Sequence, residues 1–165
     1  MSKRVRQLVG IFAAVAAYYL IHEGAHLLCA VCTGVFKQIN FMGLGVQVDV
    51  FAERMTDTQL GIFCLVGALA TLCAAYLLTV FAKQICKAKS KLLRAVFYYT
   101  TIAFLLLDPL YLSVLCGFFG GGDMNGIALL CPEWAARCIF GVLLIVNGFV
   151  FWRSVLPSYK KSFAE

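Results

Sequence analysis

The sequence predicts an all-α integral membrane protein with about four transmembrane helices and a small β-hairpin between the first and second helices. The composition is the first indication: of the 165 residues, 62% are hydrophobic and 13% are charged, and the mean hydropathy is +0.90. Soluble domains are usually about half apolar and about a quarter charged. The other indications are the apolar stretches and the distribution of basic residues along the chain.

Four apolar stretches are long enough to span a bilayer, at roughly 8–32, 60–82, 93–119 and 135–152. Each approaches or exceeds the ~17–25 residues that a spanning helix needs. The first stretch is too long for a signal peptide and has no A-x-A cleavage site, so we expect it to be retained. Residues 1–165 are therefore predicted to form one polytopic domain, with 154–165 as a short, loosely ordered tail.

Basic residues lie before the first span, between the second and third spans, and after the last. They are Lys3, Arg4, Arg6, Lys83, Lys87, Lys89, Lys91, Arg94, Arg153, Lys160 and Lys161. The positive-inside rule then predicts that both termini are cytoplasmic. Because these residues flank apolar runs and form no binding stripe, the net charge of +6 does not indicate a nucleic-acid partner.

The connection after the first span has a strand pattern. Apolar and polar residues alternate over Val35–Ile39 and Val46–Val50, with Gly43 and Gly45 between them. This pattern predicts a β-hairpin over about 35–50. Such strands should lie at the membrane surface or against the helices. Their edge could hold an extended peptide, with Gly45 and Val46 as candidate substrate-binding residues; a surface loop without function is the alternative.

The eight cysteines lie mostly within apolar runs. A disulfide framework is typical of small secreted scaffolds with cysteines in loops, so we expect reduced thiols that pack within the helices or face lipid. Cys29 and Cys32 form a CxxC pattern, but no second such pair or redox-type context accompanies it. We therefore interpret this pair as structural.

His22, Glu23 and His26 form an HExxH pattern inside the first span, and the chain contains no other histidine. Residues four apart share one helix face, so both imidazoles can reach one Zn²⁺ ion. Glu23 can then act as the general base while metal-activated water attacks an amide carbonyl. Ionisable residues within a span cost ~2.5–3.5 kcal/mol each on insertion scales, which favours a functional site over an accidental pattern.

A catalytic zinc ion normally has three protein ligands, so one further ligand is required. Asp108 and Asp123 are the two candidates. Asp108 lies about as deep in the third span as the histidines do in the first, and the proline after it can break the helix. Asp123 follows three glycines, which allow the backbone to turn and to approach a site closely. These observations leave the choice between the two aspartates open.

The chain resembles the intramembrane zinc metalloproteases of the site-2 protease class, in particular the compact M50B-like branch of peptidase family M50. The resemblance rests on HEGAH at 22–26, TG at 33–34, the strand pair, VGALATL at 66–72, and GGDMNGIALLCPEW with the apolar segment after it. It implies that Asp123 is the third zinc ligand, although GDMNG departs from the family's LDG-type motif. Asp108 is then a substitute ligand or a hydrogen-bond partner of a ligating histidine.

The resemblance implies an intramembrane endopeptidase with one Zn²⁺ per chain and a membrane-embedded protein or peptide as substrate. Asn147 is a further candidate for substrate binding, although bonding between helices is the more common use of such a residue. The charge pattern places the site towards the outer face, whereas site-2 proteases generally cut near the cytosolic face. The alternatives are a non-hydrolytic membrane protein for metal binding, sensing or transport, and a catalytically silent relative that acts as a binding partner.

Overall fold

The computed structural model describes residues 2–43, 45–120 and 122–164. It is mostly helical and contains a two-stranded antiparallel sheet. The helices are α1 Lys3–Cys32, α2 Asp57–Val80, α3 Ala82–Ile85, α4 Lys91–Leu110, α5 Asp123–Ile127, α6 Glu133–Val150 and α7 Leu156–Ala164; the strands are β1 Phe36–Met42 and β2 Gly45–Val50. A 3₁₀ turn at Ala52–Arg54 precedes α2, and π-helical turns continue α4 at Tyr111–Leu115 and α6 at Phe151–Val155.

Four helical segments of the described ranges are long and apolar enough to cross a membrane: Lys3–Cys32, Asp57–Val80, Lys91–Leu115 and Glu133–Ala164. We refer to them as the membrane-length helices. The predicted number of helices long enough to span a membrane and the predicted hairpin between the first two are both confirmed. Large apolar side chains such as Phe12, Leu20, Val80 and Ile145 are exposed on their outer surfaces.

Polar caps explain why the first three membrane-length helices begin earlier than the predicted spans. Ser2 accepts a hydrogen bond from the Val5 amide at 3.3 Å, and Ser90 accepts one from the Leu93 amide at 3.2 Å. Thr56 and Gln59 form a capping box at the start of α2. Each cap satisfies amides that have no partner within the helix, and it lies outside the apolar stretch that hydropathy detects.

The prediction of a loosely ordered tail over 154–165 is wrong for residues 154–164, which remain helical. Val155 and Tyr159, four residues apart, are fully buried against Phe104 and Leu105. Ser162 adds a polar anchor, because its carbonyl accepts a hydrogen bond from the Arg94 guanidinium. The tail is therefore an amphipathic helix that packs on α4.

Pro109 does not break the helix, although a break was expected there. The helix α4 continues through Pro109 to Leu110 and then widens into the π-helical turn at Tyr111–Leu115. Pro109 has no amide to donate to the Leu105 carbonyl, and the Asn147 side chain donates a hydrogen bond to that carbonyl instead. The position of Asp108 is thus fixed by regular helix.

The hairpin pairs Ile39 with Val48 and Asn40 with Gln47, and β2 packs against α1. Its strands extend closer to the turn than predicted, and Gly43 adopts the positive φ of +62° that the turn requires. The helix α1 packs on both α2 and α4, while α5 packs on α2 and α6 packs on α4. This packing brings α1, α2, α4, α5 and β2 around one site.

Candidate metal centre

His22 and His26 lie on the inner face of α1 and are buried, with exposed fractions of 6% and 3%. Their spacing of four residues places one imidazole above the other, as a helix requires. The two Nε2 atoms are 3.2 Å apart. The Phe63 ring lies 4.8 Å from the His26 ring and covers it. Both ligating nitrogens therefore point into the same small volume.

Asp123, the first residue of α5, completes a group with the two histidines. Its Oδ2 atom lies 3.1 Å from Nε2 of His22 and 3.6 Å from Nε2 of His26. The three side chains could hold a metal ion. The structure thus brings Asp123 to two histidines that lie about a hundred positions earlier in the chain.

The dimensions of this group fit a tetrahedral zinc site. Ligands at about 2.0–2.1 Å from a tetrahedral ion are separated from one another by roughly 3.3–3.4 Å. The three separations here are 3.2, 3.1 and 3.6 Å. Three ligands leave the fourth position of a tetrahedral ion open, as in catalytic zinc sites.

Gly67 of α2 makes room for the two imidazoles. A Cβ atom at this position would lie 2.5 Å from Nε2 of His26 and 2.7 Å from Nε2 of His22. These are the two atoms that would bind the ion, so a side chain here would compete with it. The small-residue stretch of the second membrane-length helix therefore has a specific use at this site.

The short helix α5 is held against α2 by close backbone contacts. A Cβ atom on Gly126 would collide with the Cys64 side chain, and one on Gly61 would lie 3.0 Å from the Gly126 carbonyl oxygen. Gly122, immediately before Asp123, has a φ of +48°, which disfavours other residues. Glycines thus fix both the approach of α5 and the turn that presents Asp123.

Asp108 does not belong to the group of three, but it contacts one of its members from behind. Its Oδ1 atom lies 3.3 Å from Nδ1 of His22, at ion-pair distance although outside good hydrogen-bond alignment. The same carboxylate accepts hydrogen bonds from the Tyr18 hydroxyl at 2.5 Å and from the Thr71 hydroxyl. With an exposed fraction of 1%, it is a buried carboxylate surrounded by donors.

This arrangement determines which nitrogen of His22 is free for a metal. A carboxylate beside Nδ1 favours the tautomer that carries its proton there, which leaves the lone pair on Nε2 for the ion. The Tyr18 ring stacks on the His22 ring, with centroids 5.2 Å apart and planes at 26°. The Asp108 carboxylate and the Tyr18 ring thus contact His22 on the side away from Asp123, although Nδ1 of His22, like that of His26, makes no well-aligned hydrogen bond to a described residue.

Asp123 is held in the ionised form that a metal ligand requires. Burial raises the pKa of its carboxyl, but the hydrogen bonds with His22 and His26, together with their charge, outweigh burial and lower the pKa to about 2. Its side chain retains an exposed fraction of 24%. The carboxylate therefore faces the open side of the group.

Glu23 lies beside the group and is connected to the hairpin. Its Oε2 atom accepts a hydrogen bond of 3.0 Å from the backbone amide of Val48 in β2. Glu23 is not one of the three residues that could hold the ion. Its carboxylate therefore lies beside the group without belonging to it, and β2 fixes its position.

A cavity of about 600 Å³ opens over these residues, within the range of small-ligand sites. One wall consists of β2 residues 46–50, and another contains Tyr111 and Gly122. Among the described residues β2 pairs only with β1, and the Val48 amide points away from β1 towards Glu23. The unpaired edge of β2 thus faces the cavity.

The other two candidates for substrate binding lie elsewhere. Asn147 is fully buried, accepts a hydrogen bond from the Tyr76 hydroxyl at 2.6 Å, and donates one to the Leu105 carbonyl at 2.7 Å. It joins α6 to α2 and α4 and does not line the cavity. Gly45 begins β2 at the turn and also lies outside the cavity wall, which starts at Val46.

Tyr18 and Thr71, which donate hydrogen bonds to Asp108 behind His22, are not among the residues that the sequence analysis identified. The spacing of Tyr18, His22 and His26 at intervals of four places all three on one face of α1, and this signal could have identified the tyrosine. Thr71 lies four residues after Gly67 and shares its face of α2. No comparable signal marks the Val48 amide, because it is a backbone group.

Comparisons of this chain with protein-family models, with curated proteins and with solved structures yield no match.

Proposed function

We propose that this protein is an integral membrane zinc endopeptidase, similar to the site-2 protease class, that hydrolyses a peptide bond in or near a transmembrane segment. The observation that carries the proposal is the triangle of His22, His26 and Asp123 donor atoms, whose sides of 3.1 to 3.6 Å fit a tetrahedral zinc ion. A bound zinc ion supplies an acidified water molecule and polarises the scissile carbonyl.

Glu23 has the position required of a general base. Its carboxylate is held by the Val48 amide beside the three ligands without being one of them. It takes a proton as water attacks the carbonyl carbon, and it later delivers that proton to the leaving nitrogen. These two proton transfers require one carboxylate at a fixed position. The hydrogen bond from the Val48 amide of β2 holds the Glu23 carboxylate in place.

His22 is prepared for its role by the residues behind it. Asp108 keeps the proton on Nδ1, and Tyr18 and Thr71 hold Asp108 through hydrogen bonds. Such outer partners of ligating histidines raise ligand basicity and fix the ring. The arrangement also supports the choice of Asp123 over Asp108 as the third ligand.

The substrate is proposed to bind as an added strand on the unpaired edge of β2. Residues 46–50 line the cavity. On that edge the Val48 amide donates to Glu23 and the Val50 amide to Asp49, so the Val46 amide is the one that can pair with an extended peptide. A membrane substrate would have to unwind locally, because helical segments cannot form strand hydrogen bonds. The four membrane-length helices and their exposed apolar surfaces support a location in the bilayer.

The experiment that tests this function is a cleavage assay with purified protein in lipid bilayers and a set of single-span peptides. Cleavage should stop when a chelator removes zinc and return when zinc is added. The variant His26→Ala should lose both zinc and cleavage. Stoichiometric zinc without cleavage of any peptide in the set would favour the non-hydrolytic metal-binding role. That role needs only the three ligands and does not need Glu23.

A further inference from the structure

A second cavity, of about 400 Å³, lies at the end of the bundle where α1 and α4 begin and α7 ends. At 1.5 Å per helical residue, Arg6 is about 24 Å along α1 from His22. The cavity combines three basic side chains with an aromatic wall: Lys3, Arg6, Lys160, Tyr98, Tyr99 and Phe163. It therefore has a chemistry different from that of the metal centre.

Arg94 lies next to this cavity and is buried with an exposed fraction of 6%. One of its Nη atoms donates a hydrogen bond of 2.5 Å to the Ser162 carbonyl, and its Nε has no partner among the described residues. Its guanidinium lies 5.8 Å from the centre of the Phe163 ring, and that of Arg6 lies 5.7 Å from the same ring. Two cations thus flank one aromatic residue.

No carboxylate of the described residues neutralises this end. Among the described residues lysine and arginine form two ion pairs, Lys37–Asp49 and Arg137–Glu133, and both lie at the other end of the bundle. The remaining described acids belong to the metal centre or to the segments beside α2; they are Glu23, Glu53, Asp57, Asp108 and Asp123. Glu165 lies outside the described residues. A buried guanidinium without a carboxylate is costly unless an anion compensates it.

We propose that this cavity binds the phosphate group of an anionic lipid headgroup. Guanidinium groups pair with phosphate through several hydrogen bonds, and basic pockets between membrane helices bind anionic headgroups. Tyrosine side chains are typical of the layer where headgroups meet the hydrocarbon core. Free inorganic phosphate shares this chemistry, but the position of the cavity at the ends of membrane-length helices favours a lipid.

The test is native mass spectrometry of the full-length chain in detergent, with phosphatidylglycerol and phosphatidylcholine of equal chain length as probes. The double variant Arg6→Gln/Lys160→Gln removes two charges from the cavity; neither side chain is buried, so folding should persist. The matched control is Lys89→Gln/Lys91→Gln, which removes two exposed charges outside the cavity at the same end.

We expect the unsubstituted chain to prefer phosphatidylglycerol. The cavity variant should bind it at least about tenfold more weakly, from the loss of charge-assisted hydrogen bonds to the phosphate, and the control should change less than about threefold. Equal losses in both double variants would overturn the proposal in favour of general surface attraction. Displacement of the lipid by inorganic phosphate at millimolar concentration would overturn the lipid assignment in favour of a soluble anion.

Discussion

The carboxylate of Asp108 lies 3.3 Å from Nδ1 of His22, on the side of the imidazole opposite the atom that faces Asp123. Two aspartates from distant parts of the chain thus contact the two nitrogens of one histidine. Asp123 approaches from the short helix α5, and Asp108 from the interior of α4. This division gives the two carboxylates separable roles, one as a metal ligand and one as the group that orients the ligand.

Replacing Asp108 with Asn should weaken zinc binding without removing a ligand. The amide is similar in size to the carboxylate, but it carries no negative charge and so stabilises the proton on Nδ1 of His22 less strongly. We expect the zinc affinity to fall about 10–100-fold, as is typical for partners of ligating histidines, and this can be measured by competition with a chelator of known affinity. The control is Asn147→Leu, which removes buried hydrogen bonds away from the site. Unchanged affinity in Asp108→Asn would contradict the orienting role.

Replacing each aspartate with Ala should distinguish ligand from partner. Asp123→Ala removes a donor atom of the ion, whereas Asp108→Ala leaves all three donors in place. We expect Asp123→Ala to lose more zinc affinity than Asp108→Ala, measured as bound zinc per chain after dialysis against a weak chelator. Asp108→Ala should also lower the thermal midpoint of the zinc-free protein, because the Tyr18 hydroxyl loses its acceptor. The reverse order of zinc loss would identify Asp108 as the ligand.

The substitution Gly67→Ala should expel the metal by steric conflict. Its methyl group would lie 2.5 and 2.7 Å from the two Nε2 atoms, so the imidazoles must shift before an ion can bind. We expect loss of stoichiometric zinc while the protein remains folded by circular dichroism. Gly148→Ala is the matched control, since no atom lies within 4 Å of the added Cβ atom. Normal zinc content in Gly67→Ala would show that the imidazoles can move away.

The edge of β2 can be tested with proline at Val46. Since the Val48 amide points away from β1 and amides alternate in direction along a strand, the Val46 amide also points away from β1. Val46→Pro removes an amide from the unpaired edge, where proline is tolerated. We expect KM for a peptide substrate to rise up to about tenfold, from the loss of one hydrogen bond, with zinc content unchanged. Gln47→Pro, on the alternate register, should instead disrupt the pairing with β1. An unaltered KM in Val46→Pro would exclude strand addition at this position.

The side-chain chemistry of the metal centre was largely readable from sequence. The spacing of His22 and His26 places them on one helix face wherever that helix lies, so the prediction depends only on local structure. The membrane-length helices were also predictable, because apolar length is a local property. The exact first residues were less predictable, because the caps at Ser2, Thr56 and Ser90 begin the first three of these helices outside the apolar runs.

Contacts between elements that are distant in the chain were harder to predict from the sequence. The contact of Asp108 with Nδ1 of His22 depends on the rotation of α4 against α1, which no local pattern specifies. The role of the Val48 amide depends on the register and placement of the hairpin over Glu23. The burial of Tyr159 likewise requires that α7 return onto α4, and composition alone did not reveal this in a segment with several charges.

The most direct test of the central claim is a paired measurement on Glu23→Gln: bound zinc per chain and the rate of peptide cleavage in bilayers. Glutamine keeps the shape of the side chain and can still accept the hydrogen bond from Val48, but it cannot take a proton from water. The account predicts one zinc per chain, as in the unsubstituted protein, and a cleavage rate lower by at least about 100-fold, the lower range for a general base. Cleavage at the unsubstituted rate, with zinc retained, would contradict it.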